Sequence, residues 1–322
     1  MLYVNTRNTC DINTPNHPLI RNKCDRGGMY VPYRLPILTK SQLSELVRQS
    51  AAERIVAVLR LFFRLELSPS DVENALGIYP IQIAAMNHRI AVTENWHNPS
   101  GSFTGAVESL YKIAVANSNG QIKSTIWFRI AVRLAYFVSA FCELIKAGIT
   151  HTGKPTDVAL QSNSFETVMA AWYARKMGLP IANIILSCCE NSGVWDLLHH
   201  GELPMRGYAA SVNLTEDDSS IPACLEMLIY EVLGSREVER FVAALSSQTV
   251  YCIRDEQLAA LKTGMYCAVV RRGRVESIIR NVQSTNSYLM ETRTAIAFGG
   301  LQDYRATKGE TGAALICADE SP

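Results

Sequence analysis

The spacing of hydrophobic positions along the chain predicts alternating helices and strands. From Ser41 to Glu66 apolar side chains recur at helical intervals, which predicts one amphipathic helix. Short apolar runs predict buried strands at Ile90–Val92, Asp157–Leu160 and Ile181–Ser187. Phe165–Met177 has a helical pattern that ends before Gly178, a residue typical of helix C-caps. Strand, helix and strand at this spacing predict a right-handed βαβ unit of a parallel sheet.

The remaining periodic stretches extend the same pattern. Ser68 or Ser70 is expected to cap a short helix that runs to Gly77. A turn is expected at Asn117–Gly120. Further helices are predicted at 106–116, 124–147, 221–233, 237–244, 255–263 and 292–307, and a last strand at 313–318. The sum predicts an α/β protein, a parallel sheet with flanking helices.

Composition and charge narrow the class of protein. Hydrophobic residues make up 48% and charged residues 19% of the 322 positions, as in ordinary globular proteins. The net charge is +1 without a basic run, so neither nucleic acid nor an acidic membrane surface is an expected partner. The longest apolar run, 126–145, contains Arg129, Arg133 and Glu143, which favours a buried helix over a membrane span.

Cysteine usage and the first residues suggest a compartment. Nine scattered cysteines favour a reducing cytoplasm over a disulfide framework. Met1–Arg7 lacks the layout of a signal peptide, so a cytoplasmic location is expected. Cys188-Cys189 has no further ligands at metal spacing, which favours a buried apolar pair, and no metal site is expected.

Three other groups of residues have ordinary structural interpretations. His199-His200 before Gly201 is typical of a helix C-terminus rather than of a metal site. Arg271–Arg274 is interpreted as a solvated turn, with an anion or subunit contact as the alternative. Trp172 and Tyr173, on a predicted helix, are expected to pack in the core.

Several segments together resemble one enzyme family. The matching segments are Met1–Arg7, Asp25–Pro32, Lys123–Arg129, Ala171–Ile181, Pro222–Tyr230 and Thr292–Ala295. They resemble threonine synthase, a fold type II enzyme that depends on pyridoxal phosphate (PLP). The resemblance implies a scaffold like that of the tryptophan synthase β chain. It divides the chain into an N-terminal helical and loop region, 1–90, and an α/β core, 91–322, with a truncated small domain.

The family's cofactor loop is altered in this chain. The family motif is Glu-Leu-Phe-His-Gly-Pro-Thr, two residues, and then Phe-Lys-Asp. Glu94, His97 and Phe103 keep their places here, while Thr104 replaces the lysine and Gly105 the aspartate. A threonine hydroxyl neither binds PLP covalently nor moves the substrate α-proton as an amine does. The resemblance therefore implies that PLP is not a cofactor of this protein.

Other parts of the family's site are altered too. Asn163 and Glu166 replace glycines of its phosphate loop, and a carboxylate there opposes a phosphate by on the order of 1–4 kcal/mol. The segment from Thr104 to Ser164 is shorter than in the family and lacks its Ser-Gly-Asp-Thr-Gly-Ser substrate motif. Cys317 falls about where the family has a threonine or serine at the pyridine nitrogen.

The remaining candidate chemistry centres on Glu94 and His97. Both follow a predicted strand, where open parallel sheets place their sites. A pocket of Trp96 and Phe103 would raise the pKa of Glu94 and suit it to general acid/base work, with His97 assisting. The alternative is that both are packing residues with satisfied hydrogen bonds.

Substrate contacts are predicted around this pair. Ser102 and Thr104, with neighbouring backbone groups, would bind a carboxylate or phosphate, and the alternative is a solvated loop. The full predicted set of substrate-binding residues is Trp96, Asn98, Ser102, Phe103, Thr104, Ser162 and Ser164.

Three functional hypotheses follow. The first is a PLP-independent biosynthetic enzyme of specialised metabolism that uses acid/base chemistry on an amino-acid substrate. Its reaction would be condensation with a carbonyl compound, including Pictet–Spengler-type ring closure, or an elimination. The second is a non-catalytic pseudoenzyme that binds or regulates a partner. The third is a genuine threonine synthase in which Lys112 or Lys123 supplies the amine. A homodimer is expected, because loss of the small domain leaves surface for a second subunit to cover.

Overall fold

The computed structural model describes residues 1–14, 16, 27–117, 125–162, 164–188, 190, 192–205, 220–309 and 312–322. The strands are β1 (Tyr3–Asn5), β2 (Asn8–Asn13), β3 (Tyr30–Pro32), β4 (Gln82–Ala85), β5 (Ile90–Glu94), β6 (Thr156–Gln161), β7 (Ile181–Cys188), β8 (Glu202–Pro204), β9 (Val250–Cys252), β10 (Met265–Val269) and β11 (Ala313–Ala318). The helices are α1 (Lys40–Arg48), α2 (Ala51–Phe62), α3 (Pro69–Leu76), α4 (Phe103–Asn117), α5 (Ile126–Lys146), α6 (Phe165–Lys176), α7 (Gly193–His200), α8 (Ser220–Leu233), α9 (Ser235–Ser247), α10 (Asp255–Lys262), α11 (Arg272–Asn286) and α12 (Thr292–Lys308).

A six-stranded sheet forms the centre of the fold, in the order β10-β7-β6-β11-β5-β4. The first five strands in this order are parallel, and β4 pairs antiparallel with β5 at one edge. The predicted unit β6-α6-β7 is present, and the predicted α/β class with a parallel sheet and flanking helices is confirmed. Because five strands are parallel, their carboxyl ends meet at one edge, where open α/β sheets place their sites.

The two faces of this sheet pack into two separate cores. The larger core contains α2, α5 and α6, and the smaller one contains side chains of α11 and α12. Side chains alternate between the faces along a strand. On β5, Ala91 belongs to the larger core and Val92 to the smaller, and on β11 the same holds for Leu315 and Ile316.

A small antiparallel sheet, β2-β1-β3, is attached to the larger core. The Tyr3 hydroxyl accepts a hydrogen bond of 2.7 Å from Trp127 Nε1 and donates to the Phe62 carbonyl at 3.2 Å. Burial raises the pKa of this hydroxyl well above its usual value. Arg7 forms an ion pair of 2.6 Å with the buried Glu226 of α8, so the small sheet is fixed at two points.

The predicted single helix at 41–66 is wrong in one respect, because the structure divides it into α1 and α2. Ser50 has an extended backbone and caps α2 in a capping box with Glu53. The Arg54 side chain is fully buried and donates to the carbonyls of Leu46, Val47 and Gln49 at the end of α1. The break is therefore stabilised by local hydrogen bonds that compete with a continuous helix.

Several smaller predictions are resolved by the structure. Ser68 caps α3 as expected, and His199-His200 ends α7 before Gly201, whose φ is +75°. Trp172 and Tyr173 are buried, as predicted. The turn predicted at Arg271–Arg274 is wrong, because Arg272 begins α11, whereas the predicted exposure to solvent is confirmed for Arg271 and Arg272.

The predicted turn at 117–120 and Cys189 lie outside the described residues, apart from Asn117 at the end of α4. None of the helices in the described part of the chain combines the length and the apolar character that a membrane span requires.

Candidate functional site

The loop between β5 and α4 lies at the carboxyl edge of the parallel strands. Asn98 holds the loop in shape, because its side-chain amide donates to the carbonyls of Asn95 at 3.2 Å and Ser102 at 3.0 Å. The Asn98 side-chain oxygen accepts a hydrogen bond from the Ser100 amide. A Cβ atom at position 105 would overlap the Ser100 side chain, so the loop fits only a glycine there. Asn98, predicted to touch substrate, thus folds the loop itself.

The last residue of β11 and the two residues that follow it pack along this loop. We call Ala318–Glu320 the exit segment. The Asn95 amide donates to the Ala318 carbonyl at 2.9 Å, and the Phe103 amide donates to the Asp319 carbonyl at 2.8 Å. The Asn95 side-chain amide adds a hydrogen bond of 2.9 Å to the Asp319 carboxylate. The two ends of the loop are therefore both fixed to the exit segment.

Glu94 and His97 are in direct contact. A hydrogen bond of 2.8 Å joins His97 Nε2 and Glu94 Oε2, and 16% of the Glu94 and 32% of the His97 side chain is exposed. Trp96 stacks on the imidazole with its ring centroid 5.5 Å away. Burial is the main cause that raises the pKa of the neighbouring Tyr288 hydroxyl, and the negative charge of Glu94 adds to this rise. The structure thus forms a partly exposed carboxylate–imidazole pair with an aromatic wall.

Arg133 and Asp319 form a second polar centre near this loop. The buried Arg133 guanidinium donates to both oxygens of Asp319, at 2.6 and 2.7 Å. It also lies over the Phe103 ring, 3.0 Å from the ring centroid, and Phe103 packs edge-on against Tyr136 at 4.9 Å. Loss of contact with water raises the pKa of the nearby Cys317 thiol; Asp319 adds to this rise and Arg133 opposes it.

The space beside this ion pair is narrow. It is enclosed by Thr93, Asn95, Arg133, Tyr136, Phe137, Ala140 and Cys317. The free volume between them does not accommodate a water molecule. With Asp319 in place, the space at Cys317 is therefore closed to ligands of ordinary size.

The two polar centres lie on opposite faces of the sheet. Thr93 borders the space with Arg133, on the side of the larger core, whereas Glu94 is next to Tyr288 and Trp96 of the smaller core. Adjacent residues of β5 necessarily point in opposite directions. The predicted pocket of Trp96 and Phe103 around Glu94 is accordingly wrong for Phe103, which lies on the Arg133 side.

The other predicted substrate residues are dispersed. Thr104 is exposed on the first turn of α4, and the Ser102 hydroxyl accepts a hydrogen bond from the Gly105 amide at 3.1 Å. Ser162 and Ser164 follow β6, which is separated from β5 by β11. Ser164 shares a hydrogen bond of 2.8 Å with Thr167 at the start of α6. Of the predicted residues, His97 contacts both Glu94 and Trp96 through its side chain.

A carboxylate occupies the start of α6, where the resemblance places a phosphate loop. Glu166 lies in the first turn of this helix and accepts hydrogen bonds from Arg129 Nε and Nη2, the shortest being 2.6 Å. The Arg129 charge is therefore already neutralised by a residue of the chain.

A pair of thiols lies at the same edge of the sheet, on β7 and β10. Cys188 Sγ and Cys267 Sγ are 3.4 Å apart. The hydrogen bond from Cys267, assisted by Ser162 and Ser192, lowers the pKa of Cys188 to about 7 against the opposing effect of burial. The described residues contain no cluster of three or more side chains suited to hold a metal ion.

Sequence reasoning missed Arg133, Asp319 and Tyr136. In the sequence, Arg133 argues only against a membrane span. A charge within an otherwise apolar run predicts a buried partner, because an unpaired buried charge is very costly. That signal was available, but the partner lies 186 positions away and no local pattern identifies it.

Comparison with solved structures identifies the scaffold. The chain superimposes over its full length on 89% of the PLP-bound threonine synthase of Brucella melitensis, with a TM-score of 0.82 and 18% identity. The yeast threonine synthase gives a TM-score of 0.81 at 14% identity, over all of this chain and 87% of that one. The fold is that of threonine synthase.

The sequence comparison is consistent with a threonine synthase-like fold. "Threonine synthase-like 1" of Pongo abelii is 25% identical over 201 residues, which are 61% of this chain and 26% of that protein. The match thus spans about a quarter of that relative's length. No family model matches the chain. The threonine synthase-like scaffold is retained here around a loop in which Thr104 stands at the lysine position of the resemblance.

Proposed function

We propose that this protein is a PLP-independent enzyme that performs acid/base chemistry on an amino-acid-like substrate. The observation that carries the proposal is the 2.8 Å hydrogen bond between Glu94 and His97 at the carboxyl edge of the sheet. A carboxylate and an imidazole in contact, both reachable from solvent, are the usual elements of general acid/base catalysis.

The geometry suits a division of roles between the two groups. The Glu94 carboxylate orients the imidazole, and the Trp96 ring fixes its plane. One member of the pair accepts a proton from a substrate amine or carbon, and the other returns a proton to a departing oxygen. These two transfers are what condensation with a carbonyl compound, Pictet–Spengler-type ring closure and elimination each require. Specialised metabolism is the setting we propose for such a reaction.

PLP independence is part of the proposal, because the residues present do not fit the cofactor. Thr104 offers no amine and is exposed on α4. Glu166 places a carboxylate where the resemblance expects a phosphate. The space at Cys317, near the expected position of the pyridine nitrogen, is closed to a water molecule. The proposed chemistry therefore does not pass through PLP.

A second candidate function is a non-catalytic binding or regulatory protein. The Arg133–Asp319 ion pair supports it, because the pair closes the edge of the sheet from within the chain. A genuine threonine synthase would need another amine. Lys112 is exposed on α4, and Lys123 lies outside the described residues. A homodimer and a cytoplasmic location remain predictions, and light scattering of the purified protein tests the first.

The decisive experiment compares turnover in two matched variants. Purified protein is incubated with amino acids, alone and with aldehydes, and products are followed by mass spectrometry. Glu94→Gln is expected to lower turnover by about 10²–10⁴-fold, the usual contribution of a general acid or base. Glu108→Gln, an exposed carboxylate on α4, is the control and should leave turnover unchanged. Unchanged turnover in Glu94→Gln would remove the acid/base proposal, and no turnover in any protein would favour the binding protein.

A further inference from the structure

The Arg133–Asp319 pair is asymmetric in its burial. The Arg133 side chain is 6% exposed, whereas that of Asp319 is 29% exposed. Arg133 lies in the middle of α5, and Asp319 lies on the exit segment, beyond the last residue of β11. The donor therefore belongs to the rigid interior, and the acceptor reaches it from the edge of the fold.

Residues other than Asp319 hold the donor groups of Arg133 and Asn95 in place. Arg133 rests on the Phe103 ring, and Phe103 is fixed by Tyr136. The Thr93 hydroxyl donates to Asn95 Oδ1 at 2.8 Å, which directs the Asn95 Nδ2 group towards the Asp319 carboxylate. Two donors from an arginine and one from an amide, each supported by a neighbour, form a preorganised receptor for a carboxylate.

The Tyr136 hydroxyl is a further polar group on this side. The Tyr136 side chain is 1% exposed and borders the same space as Arg133 and Asn95. Its hydroxyl has no hydrogen-bond partner among the residues that the structure describes. A buried hydroxyl without a partner is costly, and a bound polar ligand would satisfy it.

We propose that Arg133, Asn95 and Tyr136 form a binding site for the carboxylate of a small ligand, and that Asp319 is its exchangeable internal occupant. The ligand enters when the Asp319 side chain leaves, because no water-sized space exists beside it. This restricts the ligand to small carboxylates, of the size of acetate or a short-chain amino acid. The site does not depend on the proposed role of Glu94, which lies on the other face of β5.

Competition between Asp319 and the ligand gives the test. Binding of sodium acetate, glycine and L-alanine is measured by calorimetry and by the shift in melting temperature, with sodium chloride at equal ionic strength as reference. Asp319→Asn keeps the shape of the side chain and removes its charge, so acetate should bind at least about tenfold more tightly than to the wild type. Glu320→Gln, an exposed neighbour on the exit segment, should bind as the wild type does.

The variants of the receptor complete the test. Asp319→Asn combined with Arg133→Met should bind neither acetate nor amino acids. Tighter binding of glycine and L-alanine than of acetate would identify an amino acid as the ligand class, and equal binding would identify a simple carboxylate. Equal acetate affinity in Asp319→Asn and wild type, or binding that survives Arg133→Met, overturns the proposal. If Asp319→Asn is unfolded in chloride, refolding in acetate supports the proposal, and failure to refold counts against it.

Discussion

Arg133 and Asp319, 186 positions apart, meet in a two-bond ion pair of 2.6 and 2.7 Å at the carboxyl edge of the central sheet. The pair joins the long helix α5 to the exit segment, which in turn holds both ends of the loop from β5 to α4. One interaction therefore connects three parts of the fold around the candidate site.

The energetic role of this pair is testable by mutation. Removing one partner of a buried pair leaves an uncompensated charge and costs about 3–5 kcal/mol, and partial exposure of Asp319 lowers the expected loss to about 2–3 kcal/mol. Asp319→Ala should lose this amount of unfolding free energy, measured by urea denaturation without carboxylate buffers. Adding Arg133→Met should restore most of it, because no unpaired charge remains. A double variant less stable than Asp319→Ala would contradict this.

Introducing a lysine at position 104 should not create a cofactor site. Thr104→Lys places an amine on the exposed first turn of α4, while Glu166 and the closed space at Cys317 are unchanged. After incubation with PLP and desalting, the visible absorbance should equal that of Ser100→Lys, a control lysine at another exposed loop position. A stoichiometric band in Thr104→Lys alone would show that the site still accepts the cofactor.

Stability should depend on pH through Glu231. Burial raises the pKa of this carboxyl to about 7 from its ordinary value of 4.5, against the opposing effects of the Tyr173 hydrogen bond and the Lys176 charge. A raised pKa means that the folded state binds the proton more tightly, so the contribution is fully present below pH 4.5 and is lost as the pH rises through about 7. Between about pH 5 and about pH 8, the unfolding free energy of the wild type should fall relative to that of Glu231→Gln. Parallel curves would refute the assignment.

The break between α1 and α2 should depend on Arg54. Its guanidinium is fully buried and donates to four carbonyls and to Glu143. Arg54→Met should lower the unfolding free energy by about 3–5 kcal/mol, because Glu143 and the end of α1 lose their partner. Arg60→Met, at an exposed arginine of α2 with one hydrogen bond to Leu67, should cost less than about 1 kcal/mol. Similar losses in the two variants would contradict this role.

Local patterns were sufficient for much of the fold. The strands at β5, β6, β7 and β11 were predicted because each is an apolar run bounded by turn residues. The division of 41–66 was missed, although Ser50 and Glu53 carry the spacing of a capping box. The apolar stripe there continues through the break, so periodicity outweighed the capping signal.

The candidate site likewise combines features that the sequence predicts with features that it does not. Glu94 and His97 are three residues apart, so their proximity was predictable from the chain itself. The position of Phe103 on the Arg133 side, away from Glu94, could not be predicted from the chain, because it depends on how the loop packs against α5. Likewise, Cys188 and Cys267 are in contact only because β7 and β10 are neighbours in the sheet.

Local periodicity and residue identity were enough to predict the α/β class, the order of most elements and the resemblance in which Thr104 stands at the lysine position. The three-dimensional packing was needed to show that Arg133 and Asp319 close the edge of the sheet, and that Glu94 faces away from them. Which distant residues meet depends on strand order and helix packing, and a local sequence pattern does not specify either of them.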